Sequence, residues 1–179
     1  ATPGNVNNED VEFEERAPTV EAPAAPRAGA HPYDDGFRWP FYGLTPQRTK
    51  YLPLKRQLRP PFTERWRMTG RVLLEFTPSL CGRRLFLLKN NGALYGLSRQ
   101  TGKILWKRKL GYLAASSPAC GGKSVYAVML NRHKGVNAGR VVAVSATSGR
   151  TRWSRDLPSR VESSPLLLGN RLYFGSEDG

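Results

Sequence analysis

Residue types that carry out catalysis are few in this sequence, and their spacing forms no reactive arrangement. The histidines are His31 and His133, and the cysteines are Cys81 and Cys120. A serine–histidine–aspartate triad needs a histidine within reach of both partners, and a structural zinc site usually carries closely spaced ligands such as Cys-x-x-Cys. Because neither pattern is present, the sequence predicts no catalytic residue and no zinc ligand.

Carboxylates are also sparse from residue 64 onward, where the sequence has the pattern of a folded domain. A calcium ion takes six to eight oxygen ligands, and the carboxylates from residue 64 onward form no cluster along the sequence. The predicted chemistry is therefore binding rather than metal-assisted or acid–base catalysis, with no metal site. These carboxylates are Glu64, Glu75, Asp156, Glu162, Glu177 and Asp178.

Charge is distributed unevenly along the chain. Residues 1–35 hold eight acidic and two basic side chains, a net charge of −6, whereas residues 36–179 hold six acidic and 26 basic side chains, a net charge of +20. Such a basic segment could attract nucleic acid or another polyanion, but its arginines and lysines are scattered through predicted strands and turns. A solvated basic surface is the first interpretation, and a nucleic-acid- or polyanion-binding module is an alternative.

Two segments precede the part of the chain that is predicted to fold, which begins at residue 64. Residues 1–36 are acidic, rich in proline and alanine, and poor in large apolar side chains, which predicts a disordered arm. Residues 37–63 contain five prolines, which exclude a long helix. We expect this second segment to be an extended wrap that docks aromatic rings on the folded part, and the alternative is that the rings bind a partner. The rings are those of Phe37, Trp39, Phe41 and Tyr42.

From residue 64 the sequence is a repeat with a period near 40 residues. Trp66, Trp106 and Trp153 lie 40 and 47 residues apart, and the longer interval contains a polar insertion over 130–138. Each complete unit carries four short apolar or alternating runs joined by turns that contain glycine, and helix signals are almost absent. This pattern is typical of propeller blades. The predicted fold is all-β, a partial β-propeller of about two and a half four-stranded antiparallel blades over residues 64–179.

These units resemble the PQQ-like repeat of the BamB-like and quinoprotein-like β-propellers. The shared pattern has apolar positions around an aspartate, then Thr-Gly, three residues and tryptophan. It stands here as YGLSRQTGKILW over 95–106 and as VAVSATSGRTRW over 142–153. The aspartate is replaced by Ser98 and Ser145, and one threonine by Ser148, so we expect the turn hydrogen bonds in a weaker form.

The resemblance implies a structural role for the repeat motif. Each tryptophan would dock between adjacent blades, over the glycine turn of its neighbour, where glycine leaves room for the ring and adopts a positive φ. Stacking of a quinone or a sugar on these rings is the alternative. We also expect residues 64–69 to be the last strand of a blade that is completed elsewhere. The motif residues are Thr101, Gly102, Trp106, Ser148, Gly149, Trp153 and Trp66.

The two cysteines fall at matching places in the repeat. Cys81 and Cys120 each lie in the first predicted strand of a unit. Free buried thiols are the first interpretation. A disulfide between neighbouring blades is the alternative, which the spacing alone does not decide because it does not fix the geometry.

The resemblance also implies a choice between functions. Quinone-dependent dehydrogenases of this repeat family use an adjacent cysteine pair and a calcium site, and neither pattern stands in this sequence. We therefore expect no cofactor and a non-catalytic binding or scaffold propeller of the cell envelope, outside the cytoplasm, with a protein or peptide partner. The alternative is a fragment of a PQQ-dependent dehydrogenase whose active-site blades are missing. A membrane tether through a missing N-terminus and contacts with further blades of the same chain are additional expectations.

Overall fold

The computed structural model describes residues 38–52 and 59–178, so the predicted disordered arm over 1–36 lies outside the described residues. The described part of the chain is all-β, as predicted, and it contains no helix long and apolar enough to cross a membrane. Its strands are β1 (Ser79–Cys81), β2 (Arg84–Leu88), β3 (Ala93–Ser98), β4 (Ile104–Lys109), β5 (Ala119–Gly121), β6 (Ser124–Met129), β7 (Arg140–Ser145), β8 (Thr151–Asp156), β9 (Leu166–Leu168) and β10 (Arg171–Tyr173).

The strands form two four-stranded blades and part of a third. The first blade has the order β1-β2-β3-β4, the second has the order β5-β6-β7-β8, and β9 pairs with β10. All pairs are antiparallel and join strands that are consecutive in the chain. Short turns that contain glycine link most of them, and the insertion over 130–139 links β6 to β7. This arrangement confirms the predicted partial propeller.

Each blade has an inner strand and an outer strand. The inner strands β1, β5 and β9 lie side by side, so the blades radiate from them, and the outer strands β4 and β8 are mostly exposed. The connections fall at two ends. We call the turns at 82–83, 99–103, 122–123 and 146–150 the short-turn end, and the loops at 89–92, 110–118 and 130–139 the long-loop end.

The main hydrophobic core lies between the first and second blades. Alternation along the strands sends one set of side chains from each blade into this space, where burial of one large apolar side chain contributes about 1.5–3 kcal/mol. A second cluster covers the opposite face of the first blade around Tyr95 and Leu97. The main core includes Phe86, Leu94, Trp106, Val125, Met129, Val142 and Val144.

The cysteines form a disulfide, which corrects the first expectation of free thiols. Cys81 ends β1 and Cys120 lies in β5, so both belong to inner strands of adjacent blades. Their Cα atoms are 6.2 Å apart, within the range that a disulfide spans. The strand registers place the cysteines one position apart in the repeat, since Cys120 corresponds to Leu80 and Cys81 to Gly121. They meet because successive inner strands are neighbours around the propeller axis.

Residues 64–69 form no strand in this structure, and because the strands expected to complete their blade are not among the described residues, that expectation stays a prediction. No strand among the described residues pairs with this stretch, and an extended segment without a ladder partner is not a β-strand. Its tryptophan nevertheless occupies the position that the repeat predicts, as the next subsection describes.

Candidate functional site

Trp106 is clamped between two glycines of adjacent blades. The ring is 7% exposed, and its Nε1 donates a hydrogen bond to the Ala146 carbonyl at 3.1 Å. A Cβ on Gly149 of the second blade would lie 2.5 Å from Cε3 of the ring, and a Cβ on Gly96 of its own blade would lie 2.3 Å from Cε2. Both positions must therefore lack a side chain for the ring to sit between the blades.

A bulge in the outer strand directs each ring toward the next blade. Trp106 pairs with Gly96 while Ile104 pairs with Leu97, so Leu105 is an extra residue on the outer strand. The second blade repeats the irregularity just before Trp153. Bulges bend a strand and redirect its side chains, which explains why the repeat aims its tryptophan out of its own sheet.

The three tryptophans differ in whether a neighbouring turn covers them. Trp66 docks like Trp106, because its Nε1 donates to the Arg99 carbonyl at 3.0 Å and a Cβ on Gly102 would lie 2.6 Å from its ring. Trp153 is 42% exposed and contacts the Tyr126 ring of its own blade, with centroids 6.2 Å apart. The motif residues are thus brought together as two pairs, Trp66 with Gly102 and Trp106 with Gly149.

Thr101 and Ser148 shape the turns that carry these glycines. The Thr101 amide donates to Ser98 Oγ at 3.3 Å, and the Ser148 amide donates to Ser145 Oγ at 3.4 Å. Both distances are at the long end for a hydrogen bond, so each interaction is weak. The serines that replace the family's aspartate retain the turn contact in this weaker form.

Hydroxyl side chains that were not predicted to have a role link the inner ends of the blades. Thr77 Oγ1 and Ser117 Oγ lie 3.1 Å apart, and the Ser117 amide donates to Ser164 Oγ at 2.9 Å. Ser117 and Ser164 are buried, so these contacts satisfy polar groups that would otherwise be costly. The available signal was the recurrence of a hydroxyl residue before proline in all three units.

Residues 38–50, which we call the axial segment, lie along the inner strands. The Trp39 amide donates to the Leu80 carbonyl at 2.9 Å, and the Leu80 amide donates back to the Trp39 carbonyl at 2.7 Å. The Cys120 amide donates to the Pro40 carbonyl at 2.7 Å, and Arg48 Nη2 donates to the Ser164 carbonyl at 2.8 Å. One short segment thus contacts the innermost part of all three blades.

The rest of the axial segment is a compact turn. The Lys50 amide donates to the Gly43 carbonyl at 3.0 Å, and Gly43 has a φ of 83°, with Arg48 packed against its Cα. Lys50 Nζ lies 4.8 Å from the Tyr42 ring centroid, and its hydrogen bond and charge lower the pKa of Tyr42. Phe41 is buried. Composition predicted docking of aromatic rings here, but it did not identify the inner edge as the place.

The inner strands do not fit a planar quinone at this position. The backbone of Trp39 and Pro40 occupies the free edges of β1 and β5, where such a cofactor would have to displace it. Within residues 38–52 and 59–178, no three His, Cys, Asp or Glu side chains are placed to hold a metal ion. Instead, Glu162 pairs with Arg160 at 2.9 Å and Asp156 with Arg140 at 2.5 Å.

The repeat geometry agrees with a comparison to known families. The family model described as outer membrane protein assembly factor BamB matches residues 61–179. This chain belongs to the BamB family of PQQ-like repeat propellers. The BamB of Escherichia coli strain K12 is 32% identical over 107 residues, which cover 59% of this chain and 25% of that protein. The BamB of Salmonella typhimurium strain LT2 is 31% identical over 107 residues, with the same coverage of 59% and 25%. The chain therefore spans about a quarter of the length of these BamB relatives.

Solved structures support the same fold. A quinohemoprotein alcohol dehydrogenase from Pseudomonas putida HK5 superposes with a TM-score of 0.58 at 17% identity, covering 78% of this chain and 22% of that chain. The enzyme of the same type from Comamonas testosteroni gives a TM-score of 0.53 at 16% identity, covering 75% and 22%. At this level of identity the likeness shows the propeller fold, which BamB family members and quinoproteins share.

Proposed function

We propose that this chain is part of a non-catalytic β-propeller of the cell envelope that holds a protein partner. The observation that carries the proposal is the axial segment, which covers the free inner edges of β1 and β5 with hydrogen-bonded backbone. A propeller whose inner strand edges are covered by its own chain is suited to binding at its outer surface. Membership of a family named for outer membrane protein assembly supports a protein as the partner.

The disulfide supports a location outside the cytoplasm. Disulfides such as Cys81–Cys120 persist in oxidising compartments and are rare where cellular reductants keep thiols reduced.

The proposal also keeps the predicted division of the chain into an arm over 1–36, a docking segment over 37–63 and repeats over 64–179.

The long-loop end is the surface on which we place the partner. It carries the exposed side chains of Tyr112 and Leu113, 39% and 36% exposed, beside the longest connection of the fold. The backbone of Leu113 is bridged to Asn131, so these apolar groups are presented on a fixed support. Aromatic and apolar anchors with a polar surround are typical of protein interfaces.

Photocrosslinking in the full-length natural protein tests this placement. A photoreactive residue replaces Leu113 at the long-loop end, and the matched control replaces the exposed Lys123 at the short-turn end. We expect a discrete cross-linked envelope protein from position 113 and none from position 123. Equal products from both positions, or none from either, would contradict the proposal.

A cofactor-binding assay separates the proposal from the dehydrogenase alternative. The protein is incubated with pyrroloquinoline quinone and calcium, desalted, and assayed for retained quinone absorbance and alcohol-dependent dye reduction. We expect neither signal, because the axial segment occupies the inner strands. Retained quinone together with dye reduction would replace the scaffold by a dehydrogenase.

A further inference from the structure

A basic cavity of about 290 Å³ opens at the long-loop end of the first two blades. One wall is the connection that follows β4, and the other is the insertion between β6 and β7. Tyr112 adds a flat aromatic side chain that is 39% exposed. The basic side chains that line the cavity are Lys109, Arg132, His133, Lys134 and Arg140.

Two of the cationic groups are held in fixed positions. Asp156 accepts a hydrogen bond from Arg140 Nε at 2.5 Å and lies 3.9 Å from Arg132 Nε. Arg132 also donates through Nη1 to the Leu157 carbonyl at 2.9 Å. Since a guanidinium has five N–H donors, both arginines retain donors beyond these contacts. The hydrogen bond from Arg140 lowers the pKa of Asp156, so this carboxylate is ionised at neutral pH.

Backbone hydrogen bonds tie the two walls together. The Tyr112 amide donates to the Asn131 carbonyl at 2.9 Å, and the Asn131 amide donates to the Leu113 carbonyl at 3.3 Å. The insertion is closed on itself by the Arg132 amide, which donates to the Ala138 carbonyl at 2.9 Å. The cavity is therefore built by the fold rather than by loosely placed surface side chains.

The cavity has a surplus of positive charge, from Lys109, Arg132, Lys134 and Arg140. The two arginines lie within ion-pair distance of the Asp156 carboxylate, and Lys109 Nζ donates to the Asn91 carbonyl. The equivalent connection of the first blade is the shorter turn 89–92. Insertions in repeat proteins commonly form the binding face, and this one brings two of the four permanent cations.

We propose that this cavity binds the phosphate group of a phosphorylated small molecule or lipid headgroup. A phosphate dianion offers several acceptor oxygens to arginine and lysine donors, and arginine binds such groups with two parallel hydrogen bonds. The Tyr112 ring provides an apolar surface for the group that carries the phosphate. The two sources share this chemistry, and the experiment distinguishes them.

The experiment compares two double variants that remove the same charge. Arg140→Gln with Lys134→Gln removes two cavity cations, and Arg150→Gln with Arg152→Gln removes two exposed arginines outside the cavity. Binding is measured at fixed ionic strength by calorimetry with phenyl phosphate, and by sedimentation with phosphatidylcholine vesicles with and without phosphatidic acid. We expect saturable binding that the cavity variant weakens about tenfold or more and the control by less than about twofold.

Each outcome has one meaning. Binding of phenyl phosphate identifies a soluble phosphorylated ligand, and binding only to vesicles with phosphatidic acid identifies a headgroup. Equal weakening by both variants, or no saturable binding of any probe, overturns the proposal. If Arg140→Gln lowers the melting temperature, Lys134→Glu against Arg150→Glu gives the same comparison at two exposed positions. The assay contains no protein partner, so its failure leaves the proposed scaffold function untouched.

Discussion

Gly149 meets two separate requirements at a single position. Its φ of 67° lies in the left-handed region, and the Trp106 ring packs where a side chain would begin. Gly122 has a similar φ of 56° but no heavy atom within 4 Å of the place of a Cβ. A comparison of substitutions at the two glycines therefore distinguishes the cost of a positive φ from the cost of disturbing the packing between blades.

We expect Gly149→Ala to destabilise the protein more than Gly122→Ala. The control should lose about 1–2 kcal/mol of unfolding free energy, because alanine is strained at positive φ. Gly149→Ala should lose about 1–3 kcal/mol more, because the Trp106 ring must move. Denaturant-induced unfolding followed by tryptophan fluorescence measures both losses. Equal losses would show that the ring adapts without cost.

The structural role of an individual residue could be predicted only where its position in the repeat determined that role. Spacing located Trp106 and Gly149 because both recur at one phase of the unit. The basic cavity was not predicted, since Arg132 and Arg140 are separated along the chain and meet only when the insertion folds back on the second blade. Basic residues that are scattered along the sequence form a cluster only in the folded structure.

The disulfide between inner strands acts at the scale of elements. It joins β1 to β5 across a sequence separation of 39 residues and so links the two complete blades. Closing a loop of this length lowers the entropy of the unfolded chain, which corresponds to about 4 kcal/mol of stability in the chain-entropy account.

We expect the double variant Cys81→Ala with Cys120→Ala to unfold at lower denaturant concentration by an amount that corresponds to about 2–4 kcal/mol. Equilibrium unfolding with and without reductant provides the measurement. Reductant should destabilise the wild-type protein to a similar extent and leave the variant unchanged. A variant as stable as the oxidised protein would show that the bond does not constrain the unfolded chain.

Strands, turns and the docking of tryptophan on a neighbouring glycine turn were predictable, whereas the contacts between inner strands were not. Alternating residues and glycine turns located β2, β3, β6 and β7 because these elements depend on local sequence. The strand expected at 64–69 stays a prediction, because a strand needs a partner and the partners expected for it are not among the described residues. The sequence did not decide whether the disulfide forms, because its formation depends on how closely two inner strands approach each other.

At the scale of the whole molecule, the axial segment holds the blades at their centre. The amides of Leu80 and Cys120 both donate to it, so their protection from hydrogen exchange depends on the segment staying in place. Its aromatic and proline content predicted a docked segment. Only the assembled blades reveal that the docking surface is the inner edge.

We expect Trp39→Pro to accelerate amide exchange at Leu80 and Cys120. Proline removes the amide that donates to the Leu80 carbonyl, and Trp39→Phe retains it as a matched control. Hydrogen–deuterium exchange with fragment analysis should show at least about tenfold faster exchange in the proline variant only, which corresponds to about 1.4 kcal/mol of lost local stability. Unchanged exchange would mean that other contacts hold the segment.

The position of the axial segment also bears on the order of biosynthesis. Synthesis proceeds from the N-terminus, so residues 38–50 leave the ribosome before the described strands β1 to β10. Each inner strand then emerges in turn and finds a backbone edge already available, at Trp39 for β1 and at Pro40 for β5. A segment delivered after ring closure would have to enter a narrow opening lengthwise. For β1 and β5 that step is avoided, because the segment that covers their inner edges precedes both strands in the chain.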